Sequence, residues 1–247
     1  MPYNRTEENQ DQYANATFGP PPIADPDDPF RVVNSHLEKM ELGKSSSSCK
    51  LSFVTRLNRH AALQEFWCAS YEEACVYQNL AGHRDVINFK EQLTRVDFVN
   101  KKGKATYTKV DAHVLLKDAK EVLFSVKYDE KSQRTSYIAE IAHIAGQCSR
   151  QIADRFNLGS RYAFHPIFRK CAAEIHSARR GWDPEADRIV LEVANDLGRP
   201  ATFGELVERS SLRGRGQRAA IRLIGDGDIK KDHLDPFAVG TLCEVAA

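Results

Sequence analysis

The feature that most constrains this chain is a run of alternating residues between Tyr107 and Lys127. Val110, Ala112, Val114 and Leu116 occupy even positions, and after Lys117-Asp-Ala-Lys120 the even positions again hold Val122, Phe124 and Val126. A period of two marks a half-buried strand, and a short polar break between two such runs makes a hairpin. Apolar faces match across it only if even positions pair with even ones, because a one-residue slip turns every side chain over. Asp111 then lies across from Ser125 or Lys127, with Lys109 and His113 on the same face.

The flanking segments predict a mixed sheet with helices on it. Ser70-Tyr-Glu-Glu73 has the form of a capping box and opens a helix that should end at Gly82. Tyr77 and Leu80 fall at i+4 and i+7 from Glu73, which puts Glu73 on the inward stripe and turns Glu72 elsewhere. Leu93 to Val99 reads as a strand and Asn100-Lys-Lys-Gly103 as a turn. A long helix is predicted from Thr135 to Phe156, a strand from Arg161 to His165, and a helix from Cys171 to Arg179. Phe66, Trp67 and Tyr71 read as a core cluster. The fold class is α/β, a mixed sheet flanked by helices.

Past a linker at Gly181 to Pro184 the chain reads as a small helical module. Asp187 to Leu197 is a helix, Thr202 to Glu205 caps a second, and Gln217 to Ile224 forms a third. Gly225 to Asp228 then turns into a short β segment, the order of a winged helix-turn-helix. The predicted organisation is an arm over 1–45, an α/β domain over 46–180 and the winged module over 183–247. Proline, Asn, Gln and acids dominate the arm, which should be flexible, with Phe30 to Val33 its stickiest stretch.

Charge is segregated. The net +1 conceals 22 Lys/Arg against 14 Asp/Glu in residues 46 to 182, while both ends are acidic. A basic middle suits a phosphate-binding surface, although a solvated basic face is the commoner cause. No apolar run is long enough to span a membrane, and no secretory signal pattern opens the chain, so a soluble, cytoplasmic protein is expected. The six cysteines show no zinc-ligand spacing and read as reduced thiols.

Glu73, Asp111 and Lys127 are the residue types that metal-assisted phosphodiester cleavage needs: carboxylates to hold a divalent cation and a cation to place water. Mg2+ or Mn2+ would take Asp111 as anchor, Glu73 from the neighbouring helix, and the backbone carbonyl of Ser125. The plainer readings stand beside this one. Glu73 can be a capping residue only, Asp111 with Lys127 an exposed cross-strand ion pair, and His113 an ordinary surface histidine.

These residues carry a family likeness. Ser-Tyr-Glu-Glu73, Phe89-Lys-Glu-Gln92 nineteen residues past Glu73, and Asp111 sixteen residues before Lys127 resemble the TnsA-type endonuclease subunit of heteromeric cut-and-paste transposases. That resemblance covers roughly 50–240 and implies a restriction-endonuclease-like domain followed by a winged helix. It implies a subunit that nicks double-stranded DNA at the transposon 5′ ends, beside a partner DDE-type transposase and an ATPase regulator. Glu73, Asp111 and Lys127 would be catalytic and Gln92 supporting. Ser125 departs from the family, which usually carries Gln or Glu there.

In the C-terminal module Arg215, Arg218 and Arg222 fall at i, i+3 and i+7, extended by Arg213 and Arg209. Such a stripe suits a recognition helix in a major groove, and equally a solvated face or a platform for the transposase. Gly214-Arg-Gly216-Gln-Arg-Ala219 matches a dinucleotide-binding string but lacks the preceding strand. Two other functions fit the same residues: a catalytically silent DNA- and partner-binding module, or a stand-alone restriction or repair nuclease.

Overall fold

A computed structural model describes residues 19–35 and 50–246. Among them the chain is mixed α/β, with seven helices and several sheets. The first sheet joins β1 (Val32–Asn34), β2 (Leu51–Thr55) and β3 (Leu63–Cys68), after which comes helix α1 (Tyr71–Gly82). Next are β4 (Val86–Glu91), the hairpin β5 (Arg95–Val99) and β6 (Ala105–Lys109), then β7 (Ala112–Leu116) and β8 (Glu121–Val126). A short α2 (Asp129–Ser132) and α3 (Thr135–Ala145) lead to β9 (Arg155–Gly159). Helices α4 (Pro166–Arg179) and α5 (Pro184–Leu197) follow, then β10 (Ala201–Thr202), α6 (Phe203–Arg209), α7 (Gly214–Asp226), β11 (Ile229–Lys230) and β12 (Leu242–Val245).

The central sheet runs in the order β4-β7-β8-β9, with β4, β7 and β8 antiparallel and β9 parallel to β8. Strand parity is as the alternation requires: Ala112 pairs with Phe124 and Val114 with Val122. The even residues Ala112, Val114, Val122 and Val126 pack with Val76, Tyr77 and Leu80 of α1. On the opposite face Leu123 packs with Tyr137, Ile141 and Ile144 of α3. Helix α1 starts where its capping box places it, with Glu73 N–H donating to Ser70 Oγ at 3.2 Å. It ends at Gly82, where a Cβ would come within 2.6 Å of Ala172 Cβ, so glycine permits the close approach of α4.

Five sequence expectations are corrected. The strand predicted from Tyr107 to Leu116 is two strands: β6 pairs with β5, β7 pairs with β4 and β8, and the chain bends at Asp111. Glu91 pairs with Ala112 but Arg95 with Lys109, so the β4–β5 side holds one extra residue. Gln92, at φ 48, absorbs it as a bulge. Val110 consequently packs with the α3 cluster instead of sharing the face of Ala112.

The helix from Thr135 stops at Ala145, and Arg155–Gly159 is a strand. A parallel neighbour to β8 needs a crossover, which α3 supplies. Arg161–Ala163 is a single 3-10 turn where a strand was expected. The arm is ordered over 19–35: Val32–Asn34 pairs in parallel with β3, and Ala62 N–H donates to Pro22 O at 2.7 Å. The rest of the arm lies outside the described residues. Tyr71 also leaves the expected core, being 57% exposed, whereas Phe66 is fully buried. The five described cysteines are free thiols. No helix among the described residues is long and apolar enough to cross a membrane.

The C-terminal helices α5, α6 and α7 share a core built from Val190, Phe203, Leu206, Leu223 and Ile224, edged by the small strands β10, β12 and β11. This core is continuous with α4 through Ile175 and Ala178.

Candidate active site

Asp111 sits at the root of the β5–β6 hairpin, where the central sheet ends and the bulge begins. Its backbone is fixed from three sides. Its N–H donates to Phe124 O at 2.9 Å, and its carbonyl accepts from Gln92 N–H at 3.0 Å and from the Tyr77 hydroxyl. Its side chain turns toward β8, where Oδ2 accepts from Val126 N–H at 2.6 Å, Ser125 Oγ at 3.3 Å and Lys127 Nζ at 3.4 Å. Oδ1 accepts no hydrogen bond from the described residues. The second hydrogen-bond partner of Ser125 is the Tyr137 hydroxyl, 3.0 Å away.

Lys127 Nζ donates to Val126 O at 2.8 Å as well as to Asp111. Burial works against its charge, but the charges of Asp111, Tyr137 and Glu73 together outweigh burial and hold the ammonium above the usual lysine range. It is therefore a fixed cation.

Glu73 approaches from α1 and is 6% exposed. Ala69 N–H donates to Oε2 at 2.9 Å and Ser70 Oγ to Oε1 at 3.2 Å, so the carboxylate completes its own cap. Burial raises its pKa first, and the Asp111 charge raises it further, against the lowering effects of the Ala69 and Ser70 hydrogen bonds and of Lys127. The capping and the active-site readings thus hold together. One side chain satisfies the helix start and also feels both Asp111 and Lys127. Tyr77, one turn on and fully buried, ties α1 to Asp111 through its bond to Asp111 O. Burial, then the Glu73 and Asp111 charges, keep its phenol protonated. Sequence reasoning placed Tyr77 in the core and missed this tie, for which its i+4 spacing from Glu73 was the available signal.

The carbonyl expected from Ser125 points elsewhere. Peptide groups alternate sides along a strand. Phe124 O and Val126 N–H both face Asp111, whereas Lys127 N–H turns to Gly159 O at 3.0 Å on β9. The Ser125 peptide groups therefore face β9, and the carbonyl on the Asp111 side of β8 is that of Val126. Among the described residues no group of three or more His, Cys, Asp or Glu side chains is arranged to hold a metal ion. The donors that fit a hard cation are Asp111 Oδ1, Val126 O and the Glu73 carboxylate, an all-oxygen set of the kind Mg2+ prefers. Two carboxylates whose charges oppose each other, one with a free oxygen, suit a divalent cation between them.

Gln92 reaches the site through its backbone only. His113, expected on the surface, is 7% exposed and held between Thr94 Oγ1 and Glu121 Oε2, each at 2.6 Å. Burial lowers its pKa, opposed by Glu121.

The arginines of α7 separate. Arg222 is 2% exposed and pairs with Asp187 at 2.7 Å, its Nη1 donating to Ala178 O. It belongs to the helix interface and is removed from any groove-facing stripe. Arg215 is exposed but bound to Asp183 at 2.8 Å and Glu185 at 2.6 Å. Arg213 and Arg218 are exposed. At the junction, Arg179 packs as a buried hinge group against Asp226 at 2.8 Å, and Trp182 stacks beneath Arg56 at 5.0 Å.

No family model matches the chain, and no curated protein matches it with significance. The functional reading rests on the geometry of these residues.

Proposed function

We propose that this chain is a divalent-metal-dependent DNA endonuclease of restriction-endonuclease-like fold with a C-terminal winged helix, the 5′-strand-cutting subunit of a transposase. The observation that carries the reading is the convergence on Asp111 at the bulge: Lys127 Nζ at 3.4 Å, the Val126 peptide, and the like charge of Glu73. The order helix, three antiparallel strands, helix, parallel strand supports the fold assignment. Three helices with the small sheet β10-β12-β11 support the winged helix.

Asp111 Oδ1 and Val126 O would hold Mg2+ or Mn2+, with Glu73 bound directly or through water. Such a cation polarises a phosphate and lowers the pKa of a water. Lys127 steadies the developing phosphate charge and orients the attacking water, its own charge secured by Asp111. Glu73, held by Ala69 N–H and Ser70 Oγ, would supply the second carboxylate of the site. Tyr77 and Gln92 keep the Asp111 backbone in place. In this reading the transposase partner cuts the 3′ strands and an ATPase regulator governs the assembly.

One observation favours a second reading, a silent module that keeps the fold. Asp111 Oδ2 already has three donors and Ser125 stands where an acid or amide would serve. Calorimetric titration with Mn2+ separates the two. The nuclease reading expects saturable binding that Asp111→Ala removes, while absence of binding in the unsubstituted chain carries the silent module instead.

A further inference from the structure

The β5–β6 hairpin has no part in the site chemistry, yet it springs from it. Asp111 and Gln92 form its base, and each strand runs five residues, so at a rise of about 3.4 Å per residue its turn lies roughly 17 Å beyond the Arg95–Lys109 pair. Between residues 95 and 109 it carries five Lys/Arg and one acid. The inner face is anchored, with Val96 fully buried beside Ile141 and Ile144 of α3. The outer edge is closed at Val99: its N–H donates to Gln147 Oε1 at 2.8 Å, and its carbonyl bonds Gln147 Nε2 at 3.0 Å and His143 Nε2 at 2.7 Å. A strand from another chain finds no free groups at Val99.

What remains is the outer face. Arg95 and Lys109 stand directly opposite each other, both exposed. Asp97 Oδ1 on the same face accepts from Arg95 Nε at 2.8 Å and from its Nη2 at 2.6 Å, which offsets the like charge of Lys109 and holds the guanidinium in place. Arg95 lies 4.1 Å over the ring of Tyr107, which is 55% exposed. At the turn Lys101, Lys102 and Lys104 are exposed. Cations flanking an exposed aromatic on a rigid two-stranded ribbon match a polyanion, and a B-DNA major groove about 12 Å wide admits such a ribbon.

We propose that this hairpin is a duplex-DNA grip, laid in the groove beside the strand to be cut. The proposal rests on the endonuclease reading for its substrate. Arg95, Lys109 and the turn lysines contact phosphates, and Tyr107 packs on the groove wall. At about 3.4 Å per base pair, the hairpin's strands span roughly five base pairs of the groove.

The test is fluorescence anisotropy of the full chain on a duplex of roughly 30 base pairs, at about 50 to 200 mM salt and without divalent metal. Lys101→Ala/Lys102→Ala/Lys104→Ala, with circular dichroism confirming the fold, should weaken binding at least about tenfold and lower the salt slope by about 3. A control of equal charge, Lys120→Ala/Lys170→Ala/Lys230→Ala, should leave the slope nearly unchanged. An unaltered slope in the turn variant, or an equal loss in the control, overturns the proposal. So does equal affinity for an RNA duplex, whose deep major groove excludes a ribbon. Because no cleavage is read, failure here leaves the Asp111 assignment standing, and failure of Asp111 leaves the grip standing.

Discussion

Asp111 is fixed by its backbone and used through its side chain. The Tyr77 hydroxyl and Gln92 N–H take its carbonyl, which leaves one carboxylate oxygen for Val126, Ser125 and Lys127 and the other open. Glu73 bears the cost of this arrangement, since its charge is buried and faces that of Asp111. The folded chain binds the Glu73 proton more tightly than the unfolded chain does. Its contribution to stability is therefore fully present below the unfolded pKa and lost as the pH rises through the folded one. Glu73→Gln keeps an acceptor for Ala69 N–H and removes the charge. It should stabilise the protein by about 0.5–2 kcal/mol at pH near 8 while abolishing cleavage. Thermal unfolding checks this, with a gain that shrinks toward pH near 4; a variant less stable at the higher pH would contradict it.

At the level of elements, legibility in the sequence followed local physics. The hairpin of β7 and β8 is readable because Val114, Val122 and Phe124 alternate against one core, and the parity that follows puts Asp111 across from Ser125 or Lys127, both of which hydrogen-bond its carboxylate. Helix α1 was readable from its Ser70 cap and from the Glu73, Tyr77, Leu80 stripe, all buried. What was not readable depends on partners distant in sequence. Nothing near Val110 announces that β6 leaves the sheet, because the cause is an extra residue at Gln92 on the neighbouring strand. The helix expected from Thr135 to Phe156 overruns into the start of Arg155–Gly159, whose strong demand for a strand is the open edge of β8. Val32–Asn34 pairs with β3 inside a segment whose composition argues against order. Arg222 keeps helical spacing with Arg215 and Arg218, yet Asp187 on α5 draws it inward. The carbonyl was misassigned for a different reason: side-chain parity was derived, but peptide direction needs the identity of the strand on each side.

At the scale of the whole molecule, helix α1 and the Arg59 loop are clasped to α4 and α7. Asp226 at the end of α7 accepts from Arg179 Nε at 3.0 Å and from Arg59 N–H at 3.0 Å, and Arg179 Nη1 donates to Ala81 O at the end of α1. Helix α1 carries Glu73, so the clasp ties the site helix to the C-terminal module. Asp226→Ala leaves the buried Arg179 unpaired and should cost about 3–5 kcal/mol in urea unfolding. Trp67 and Trp182 lie on the two sides of the clasp and should report coincident transitions before the change. A loss below about 1 kcal/mol would contradict the clasp. The proposed function turns on Asp111, and nicking of DNA carrying transposon ends, in Mg2+ with a DDE-type transposase added, tests that proposal most directly. The unsubstituted chain should nick the 5′ strands, and Asp111→Asn should slow this at least about a hundredfold with DNA binding unchanged; undiminished nicking by Asp111→Asn would contradict the account.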